Sequence, residues 1–296
     1  MSSSAPKRGV IGLVGLPNVG KSTLLNRLLG EDLAIVSPKP QTTWMLVRGI
    51  LTDSRGQLVF IDTPGLHRPV DSLGGRMVGQ ARRGLSESDL VFWLADCRAS
   101  PQEELTRAAR YLTDPIPALL VITKIDLIAR PQLLPLIQAY AAGGLFKEIV
   151  PVSALKGDNV DDLLHTAFAL VGTGPPFFPP DQLSDQPERD LIREFIREKV
   201  FLNTNREIPY SSAVSVQYVK QEEGRLLISA VIFVERESQK GIMVGKGGAK
   251  IRSIGTAARR RIEALVGQPV YLDLRVKVRR KWRSDKRSLS EFGYRN

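Results

Sequence analysis

At 296 residues with a single cysteine and two histidines, the chain is long enough for about two domains but cannot build a disulfide framework or an ordinary zinc site. It has no run of 18 apolar residues to cross a bilayer and no apolar signal core at its polar N-terminus, so we expect a cytoplasmic protein. The net charge of +11 lies entirely in residues 186–296, which predicts a polyanionic partner for that part of the chain alone.

The first part of the chain, residues 1–172, alternates apolar strand-like runs with helical segments and predicts one α/β domain with a mostly parallel sheet and helices on both faces. Strands are predicted at 9–15, 46–53, 57–62, 89–96, 118–123 and 148–152, and helices near Lys21, Gly75, Pro101, Pro131 and Val160. The polar, proline-containing segment from Glu31 to Met45 is expected to be a mobile loop.

The most informative motif lies between the first strand and the first helix. It consists of Gly15, Leu16, Pro17, Asn18, Val19, Gly20, Lys21 and Ser22. Its glycines allow backbone N–H groups to converge on an anion, and the N-terminus of the following helix faces the same point. Lys21 is predicted to reach the β- and γ-phosphates of a nucleotide, and the Ser22 hydroxyl to bind Mg²⁺.

A second motif, made of Asp62, Thr63, Pro64 and Gly65, closes the strand at 57–62. An aspartate at this position is predicted to hold Mg²⁺ through water, and the Gly65 N–H to contact a γ-phosphate. As a bare tetrapeptide the motif is also a good turn sequence. Its place after a strand and about forty residues beyond the phosphate loop favours the nucleotide interpretation.

Later strands end in residues suited to reading a base, namely Thr123, Lys124, Ile125 and Asp126, followed by Ser153, Ala154 and Leu155. Asp126 is predicted to accept hydrogen bonds from the N1–H and the exocyclic amine of guanine. Adenine presents the wrong donor pattern to such a carboxylate. The Lys124 stem is predicted to pack over the base, and the Ser153 segment to present a backbone N–H to guanine O6.

A linker is predicted at 173–185, because a glycine- and proline-rich stretch there cannot continue a helix or join the centre of a sheet. A second, α+β domain is predicted over 186–283. Its elements are a helix from Glu188 to Phe201, strands at 212–219 and 225–235, a short element, a glycine loop at 245–248, a helix to Val266 and a strand at 269–278. Residues 284–296 are predicted to form a basic C-terminal tail.

The glycine loop of the second domain matches the signature of a KH domain, a single-stranded RNA-binding module. The residues that carry the match are Gly245, Lys246, Gly247, Gly248 and Lys250. Small residues admit the sugar-phosphate chain and the lysines attract it, although the loop by itself is also a plausible flexible turn. The order of the surrounding elements resembles the type II KH arrangement. The aromatic side chains of this domain, Tyr218, Phe233, Tyr271 and Trp282, are expected to belong to its core.

Together the motifs resemble those of the translation-factor-like GTPases, and more narrowly the Era family of small-subunit ribosome-assembly GTPases. The resemblance also includes Gln41, Thr42 and Thr43, and it covers nearly the whole chain. It implies a GTP-hydrolysing switch that binds GTP and GDP, with Mg²⁺ at Ser22, Thr43 and Asp62. Catalytic roles are implied for the following residues: Asn18, Lys21, Thr42, Thr43 and Gly65. The implied partners are the 3′ end of small-subunit ribosomal RNA, the maturing subunit and the inner face of the cell membrane.

The chain departs from the family pattern at two positions and lacks a residue found in many small GTPases. Thr123 stands where the base-reading motif usually has Asn, so its hydroxyl is expected to replace part of the amide's contact with the phosphate loop. Trp44 follows Thr43 where an arginine is frequent. Leu66 stands where many small GTPases have a glutamine that orients the attacking water, and leucine has no polar atom for that task.

The missing glutamine predicts slow intrinsic hydrolysis. Asn18 is one candidate for compensation, because it could hold a K⁺ ion that neutralises charge between the β- and γ-phosphates. Alternatively, Asn18 only satisfies the loop backbone. Two other functions stay open for the chain: a constitutive RNA-binding adaptor with a slow or non-hydrolysing nucleotide domain, and a P-loop ATPase or kinase acting on RNA. A monomer is favoured.

Overall fold

The computed structural model describes residues 5–37, 39, 42–66, 71–113 and 115–294 and separates into two compact units. The first unit contains Met1–Ala34, Thr43–Arg68 and Met77–Asp185, and the second contains Ile35–Thr42, Pro69–Arg76 and Gln186–Asn296. Gln41 lies outside the described residues, and so do the last two residues of the predicted tail.

The first unit is built on a mostly parallel sheet. Its strands are β1 Lys7–Gly15, β2 Val47–Asp53, β3 Gly56–Asp62, β4 Leu90–Asp96, β5 Ala118–Thr123, β6 Glu148–Pro151 and β7 Gly172–Thr173. The helices of this part of the chain are α1 Lys21–Leu29, α2 Ser72–Ser86, α3 Pro101–Tyr111, α4 Arg130–Ala141 and α5 Val160–Leu170. The strand order is β2-β3-β1-β4-β5-β6, with only β2 antiparallel among these six. The observed bounds differ from the predicted ones by at most three residues.

Helices cover both faces of this sheet, as the sequence predicts. Side chains from α2, α3 and α4, including Ala81, Ala108 and Tyr140, join one core cluster with Trp93 of β4. Helices α1 and α5 pack against each other and against β1. Strands that are buried on both faces consist of continuous apolar residues. This is why the strands of this unit are recognisable in the sequence as apolar runs.

The topology brings the predicted nucleotide motifs to one edge of the sheet. The phosphate loop follows β1, the Asp62 motif ends β3, and the two base-reading segments follow β5 and β6. Because β1, β3, β5 and β6 run parallel, all four segments leave the sheet at its carboxyl edge, where ligands bind in open α/β sheets.

The loop from Glu31 to Met45, predicted to be polar and mobile, buries most of its apolar side chains. Leu33, Ile35 and Trp44 are all buried. The Asn26 side chain, from α1, donates to the Ala34 carbonyl at 3.0 Å and accepts from the Ala34 N–H at 2.7 Å. This anchoring could not be predicted from the sequence, because Asn26 looks like an ordinary polar residue of an amphipathic helix.

The predicted linker at 173–185 lies against the first unit instead of crossing open solvent. Strand β7 pairs antiparallel with the start of β1, although the segment was predicted not to join the centre of the sheet. This pairing is possible because β4 pairs with β1 only from Ile11 onward, leaving Lys7 and Arg8 available. Farther along, the Leu183 carbonyl accepts a 2.9 Å hydrogen bond from the Ile50 N–H on β2.

The second unit has the α-β-β-α-α-β order of a type II KH domain. Its elements are α6 Glu188–Asn203, β8 Ser212–Glu222, β9 Arg225–Val234, α7 Glu237–Val244, α8 Ala249–Val266, β10 Val270–Val278 and α9 Lys286–Glu291. The sheet order is β10-β9-β8, with β10 parallel and β8 antiparallel to β9. Helices α6, α7 and α8 contribute to one core cluster with one face of this sheet.

The predicted basic tail is folded through Tyr294. Leu289 and Phe292 are fully buried, and the Trp282 ring packs edge-on against Phe292. The Trp282 indole N–H donates to the Ser211 carbonyl at 3.0 Å. Basic residues dominate the composition of this segment, but the apolar side chains between them are buried and hold it in a folded conformation. None of the helices in the described ranges is both long enough and apolar enough to span a bilayer.

Candidate nucleotide and RNA sites

The phosphate loop wraps around the Lys21 side chain. The Lys21 ammonium donates to the carbonyls of Gly15 at 3.1 Å and Leu16 at 2.8 Å. Asn18 has a φ of 60° and Gly20 a φ of 102°, both in the left-handed region that Gly and Asn tolerate best. Asn18 therefore has a conformational reason to occupy this loop.

Lys21 is a strongly perturbed cation of the first unit. Its side chain is buried, and burial lowers its pKa to about 8 even though the Asp62 carboxylate partly opposes the shift. A bound polyphosphate adds negative charge beside the ammonium and raises this pKa again. The structure therefore holds a desolvated cation at the bottom of the loop, where it interacts strongly with an anion.

Three oxygen atoms converge next to Lys21. The Ser22 hydroxyl lies 2.6 Å from Asp62 Oδ2 and 3.0 Å from the Thr43 hydroxyl, which donates to the same Oδ2 at 3.2 Å. Burial raises the pKa of the Asp62 carboxyl, and no described residue donates a hydrogen bond to its buried Oδ1. Hydroxyl and carboxylate oxygens are the ligands that Mg²⁺ prefers. These residues fit a magnesium ion, with Asp62 Oδ1 left for a water of its shell.

The residues after Asp62 pack against the phosphate loop. The Thr63 hydroxyl donates to the Leu13 carbonyl at 2.7 Å. A Cβ on Gly65 would lie 2.7 Å from the backbone nitrogen of Pro17, so only glycine allows this approach. The Leu66 N–H donates to the Gly15 carbonyl at 3.0 Å, while its side chain is buried in the core. Leu66 thus contributes a backbone contact to the loop, and its buried side chain has no polar atom that could orient a water.

Thr42, to which the resemblance gives a catalytic role, makes its observed hydrogen bonds elsewhere. Its hydroxyl donates to the Lys39 carbonyl at 2.8 Å, and its carbonyl accepts from the Arg197 guanidinium at 2.5 Å. These contacts lie within the second unit, to which Thr42 belongs. Of the adjacent threonines, the structure brings only Thr43 to the oxygen cluster.

The base-reading segments are linked to the phosphate loop through side chains. The Thr123 hydroxyl lies 2.7 Å from the Val19 carbonyl and 3.1 Å from the Ala95 carbonyl. The Lys124 ammonium donates to the Asn18 carbonyl at 2.6 Å. Thr123 therefore reaches the loop as expected for a residue in place of Asn, with a single hydroxyl instead of an amide.

Asp126 is oriented by the second base-reading segment. Its Oδ1 accepts a 2.6 Å hydrogen bond from the Ser153 hydroxyl, which leaves Oδ2 for a ligand. Ile125 begins a short 3-10 turn, and its N–H donates to the Val152 carbonyl at 3.4 Å. Leu155, in contrast, is 73% exposed, so its side chain makes little contact with the site.

Sequence reasoning missed two polar residues next to this base site. Arg27 of α1 donates to the carbonyls of Ala154 at 2.7 Å and Leu155 at 2.6 Å. Asp96 forms an ion pair of 2.9 Å with Lys124, and hydrogen bonds from Arg98 hold the Asp96 pKa well below its usual range. Asp96 ends a buried strand, which is a usable sequence signal. Arg27 offers no such signal, because it is one of many exposed helix residues.

The glycine loop of the second unit is open. Gly245, Gly247 and Gly248 have φ values of 72°, 56° and 77°, and Lys246 between them is exposed. A Cβ on Gly245 would lie 2.8 Å from the Cβ of Lys250. The loop connects α7 to the N-terminus of α8, so its backbone N–H groups and its lysines lie at the positive end of a helix.

Comparisons with known proteins identify both domains. Residues 10–124 match the family model of the 50S ribosome-binding GTPases, and residues 207–283 match that of the KH domains. GTPase Era of Geotalea uraniireducens (strain Rf4) is 46% identical over 296 residues, covering 99% of this chain and 100% of that protein. GTPase Era of Geotalea daltonii is 46% identical over 289 residues, covering 97% of each.

Two solved structures are similar over almost the whole chain. One is an Era protein in complex with MgGDPNP and nucleotides 1506–1542 of 16S ribosomal RNA, with a TM-score of 0.94 and 39% identity over 98% of this chain and 100% of that one. The other is a variant of Aquifex aeolicus Era bound to GDP·AlF4⁻, with a TM-score of 0.93, 39% identity and the same coverage.

Proposed function

Because this chain belongs to the Era family of GTPases, we propose that it is a GTP-driven switch that binds the 3′ end of small-subunit ribosomal RNA and acts in assembly of the small ribosomal subunit. The observation that carries the proposal is the pairing of two anion sites in one chain. One is the buried Lys21 beside the oxygen cluster of Ser22, Thr43 and Asp62. The other is the open glycine loop at 245–248 in the basic part of the chain.

The first site supplies electrostatic stabilisation and positioning for phosphoryl transfer. The Lys21 ammonium exchanges its two loop carbonyls for oxygens of the nucleotide phosphates. The Gly65 N–H, held against Pro17, is positioned to donate to the γ-phosphate. Ser22, Thr43 and Asp62 would hold Mg²⁺, which would supply charge neutralisation to the phosphates. The phosphate loop and the Asp62 motif hold these groups close together, which keeps the reorganisation cost of catalysis low.

Guanine selectivity is assigned to Asp126. Its Oδ1 is held by Ser153, which fixes the carboxylate, and Oδ2 together with the second lone pair of Oδ1 can accept the two guanine donors. An adenine base would place an acceptor and a wrongly positioned donor against it, and the carboxylate would lose its hydrogen bonds. Arg27 acts as a positioning residue. It donates to the carbonyls of Ala154 and Leu155 and so holds the segment that offers a backbone N–H to guanine O6.

Hydrolysis must proceed without a glutamine at position 66. The buried Leu66 side chain favours water positioning by another group, and we assign charge stabilisation to a K⁺ ion held near Asn18. The left-handed backbone of Asn18 supports the competing assignment, in which Asn18 only satisfies the loop conformation. Equal single-turnover rates in Na⁺ and K⁺ buffers would overturn the potassium assignment.

The partner is assigned from the chemistry of the second unit. A KH glycine loop clamps about four unpaired nucleotides. The Era structure of 39% identity holds nucleotides 1506–1542 of 16S ribosomal RNA, which supports the same class of RNA here. The basic excess of residues 186–296 also supports peripheral binding to anionic lipids at the inner face of the cell membrane by a cytoplasmic, monomeric protein.

The alternative is a constitutive RNA-binding adaptor whose nucleotide domain does not turn over. It is favoured by one observation, the burial of Leu66 at the position of the water-orienting residue. Single-turnover hydrolysis of GTP in K⁺ buffer, with and without RNA of the small-subunit 3′ sequence, separates the two functions. The switch hydrolyses GTP and binds this RNA, whereas the adaptor binds RNA and shows no hydrolysis under any condition. Competition between GTP and ATP for the site tests base selectivity in the same reactions.

A further inference from the structure

The sheet of the second unit has an outer face, formed by β8, β9 and β10 on the side opposite α6, α7 and α8. The strand register places Lys220, Leu227 and Tyr271 in one row across the sheet. The next row contains Tyr218, Ser229 and Asp273. Alternate residues such as Ile228 point to the other face and belong to the core with the helices. Tyr218 and Tyr271 therefore share the outer face.

Both tyrosines are exposed, contrary to the expectation that the aromatic residues of this domain are core. Tyr218 is 43% exposed and Tyr271 is 57% exposed, whereas Trp282 is fully buried. Large aromatic side chains are mostly buried in folded proteins, so two exposed rings on one sheet face call for an explanation.

Each exposed ring has its own cation. The Lys220 ammonium lies 5.3 Å from the centre of the Tyr218 ring, and the Arg225 guanidinium lies 5.9 Å from that of Tyr271. Arg225 also lies 3.5 Å from Glu222, a weak ion pair between exposed side chains. Lys220 is on the same strand as Tyr218, whereas Arg225 is on β9, next to Tyr271 on β10. The two tyrosines lie in neighbouring rows on strands separated by β9, so their Cα positions are about 12 Å apart. They are therefore suited to different bases.

The aromatic patch has a defined limit. At the other end of the same face, the Phe233 ring packs against Phe292 with 4.9 Å between ring centres, so the C-terminal segment covers that end. The open end, which we call the tyrosine patch, consists of Tyr218, Lys220, Arg225, Leu227 and Tyr271. Its two cations, Lys220 and Arg225, have one ion-pair partner among the described residues, Glu222, which leaves a net positive charge on the patch.

We propose that the tyrosine patch is a second contact for single-stranded RNA, in which bases stack on Tyr218 and Tyr271 while Lys220 and Arg225 bind the adjoining phosphates. Flat aromatic side chains on a sheet, interleaved with cations, are the usual surface for stacking unpaired bases. This inference rests on the proposed function of the second unit as an RNA-binding domain, and it extends the bound RNA beyond the glycine loop.

A bound RNA would pass from the glycine loop to the tyrosine patch along strand β10. This strand packs against α7 and α8, which flank the glycine loop, and it forms one edge of the sheet. Arg275 and Lys277 alternate with core residues of β10 and are exposed on the side of Tyr271. Arg275 is paired with Asp273 at 2.8 Å, so Lys277 offers the less compensated charge along this edge.

The test compares two RNA lengths in fluorescence anisotropy with the full-length protein. An RNA of about six nucleotides is long enough for the glycine loop alone, and one of about twenty, both ending in the small-subunit 3′ sequence, can reach the tyrosine patch. The double variant Tyr218→Ala/Tyr271→Ala is expected to bind the longer RNA at least tenfold more weakly, because each stacked base contributes about a factor of ten. Its affinity for the short RNA is expected to stay within about twofold of wild type.

Matched variants identify the cause of any loss. Tyr218→Phe/Tyr271→Phe keeps both rings and is expected to bind as wild type, and Leu265→Ala removes an exposed apolar side chain from α8 without touching the patch. Lys246→Asp in the glycine loop is expected to weaken both RNAs. Unchanged affinity of the alanine double variant for the longer RNA overturns the inference and leaves the proposed function intact. A wild-type protein that binds neither RNA overturns both.

An anionic membrane is the competing occupant of this surface. Flotation with phosphatidylcholine–phosphatidylglycerol vesicles measures it with the same variants. If the alanine double variant loses vesicle binding while it keeps the affinity for the longer RNA, the patch is a lipid contact and the inference is overturned.

Discussion

The two glycine loops of this chain, both assigned to phosphate groups, each precede a helix N-terminus, but the lysines in them lie in opposite environments. In the phosphate loop, Lys21 is buried and its pKa is lowered to about 8. In the RNA loop, Lys246 is exposed to solvent. A dry site concentrates its electrostatic energy on one ligand of fixed shape, whereas an open site accepts any segment of a polymer and is screened by salt.

The largest difference between the loops is expected from equivalent lysine substitutions. Lys21→Met is predicted to lower kcat/KM for GTP by about 10²–10³-fold, because it removes a preorganised donor in a low-dielectric site. Lys246→Met is predicted to weaken RNA binding by about tenfold or less and to reduce the slope of log affinity against log salt by about one. Hydrolysis assays and RNA titrations over a salt series measure both. Equal fold-losses in the two assays would contradict the contrast between dry and open sites.

Buried charge in the second unit lies in α6 and not in its RNA loop. Arg197 is fully buried and pairs with Glu194 at 2.6 Å. Arg197→Met leaves this carboxylate buried and is predicted to lower the free energy of unfolding of this unit by about 3–5 kcal/mol. Hydrogen exchange of the α6 amides measures the loss, and the double variant Glu194→Leu/Arg197→Met should recover most of it. Full protection in Arg197→Met would show that the pair does not stabilise the unit.

The two loops are also predicted to differ in their response to pH. The Lys21 pKa is about 8 in the folded protein and is raised by bound phosphate, so above pH 8 nucleotide binding must take up a proton. GTP affinity is then predicted to fall by up to about tenfold per pH unit, while RNA affinity stays flat over the same range. Calorimetry in buffers of different ionisation enthalpy counts the proton. A pH-independent GTP affinity between pH 8 and 9.5 would contradict the lowered pKa.

The same shift affects stability in the opposite direction. A lysine whose folded pKa lies below its unfolded value binds fewer protons in the folded state between the two values. The buried Lys21 ammonium therefore destabilises the ligand-free protein below about pH 8, and this cost is relieved as the pH rises towards 10.5. Lys21→Met is predicted to remove this pH dependence of the melting temperature.

The smallest predicted effect concerns Arg27, which touches the base site through two carbonyls. Arg27→Gln is predicted to weaken GTP and GDP binding by about three- to tenfold, since hydrogen bonds from a charged donor are lost at an exposed position. The single-turnover rate of bound GTP should not change. The nucleotide affinity of Arg27→Lys should lie between those of the wild type and Arg27→Gln. A loss in the single-turnover rate with unchanged affinity would assign Arg27 to the phosphate chemistry instead.

The sequence was sufficient for the order of the nucleotide motifs and the position of both glycine loops. The reason is topological, because each motif closes a strand and parallel strands place their carboxyl ends together. The predicted alternation of strands and helices was therefore enough to associate Lys21, Asp62 and Asp126 without any knowledge of distances.

The parts that were not predictable depend on tertiary contacts without a local signature. The two-residue strand β7 forms because β4 pairs with β1 only from Ile11 onward, which leaves that side of Lys7 and Arg8 open for β7. The C-terminal segment looks like a basic tail but is held by Phe292 and Tyr294. Arg27 reaches another loop from an exposed helix position, and the exposure of Tyr218 and Tyr271 depends on where that C-terminal segment stops covering the sheet.

The central claim, that a nucleotide site and an RNA site act as one switch, is tested most directly by titrating RNA of the small-subunit 3′ sequence into the protein in K⁺ buffer. The titration is made once with a non-hydrolysable GTP analogue and once with GDP. We expect clearly tighter RNA binding in the GTP-analogue state and loss of this difference in Lys21→Met. Equal RNA affinity in both nucleotide states would contradict the switch and favour the constitutive adaptor.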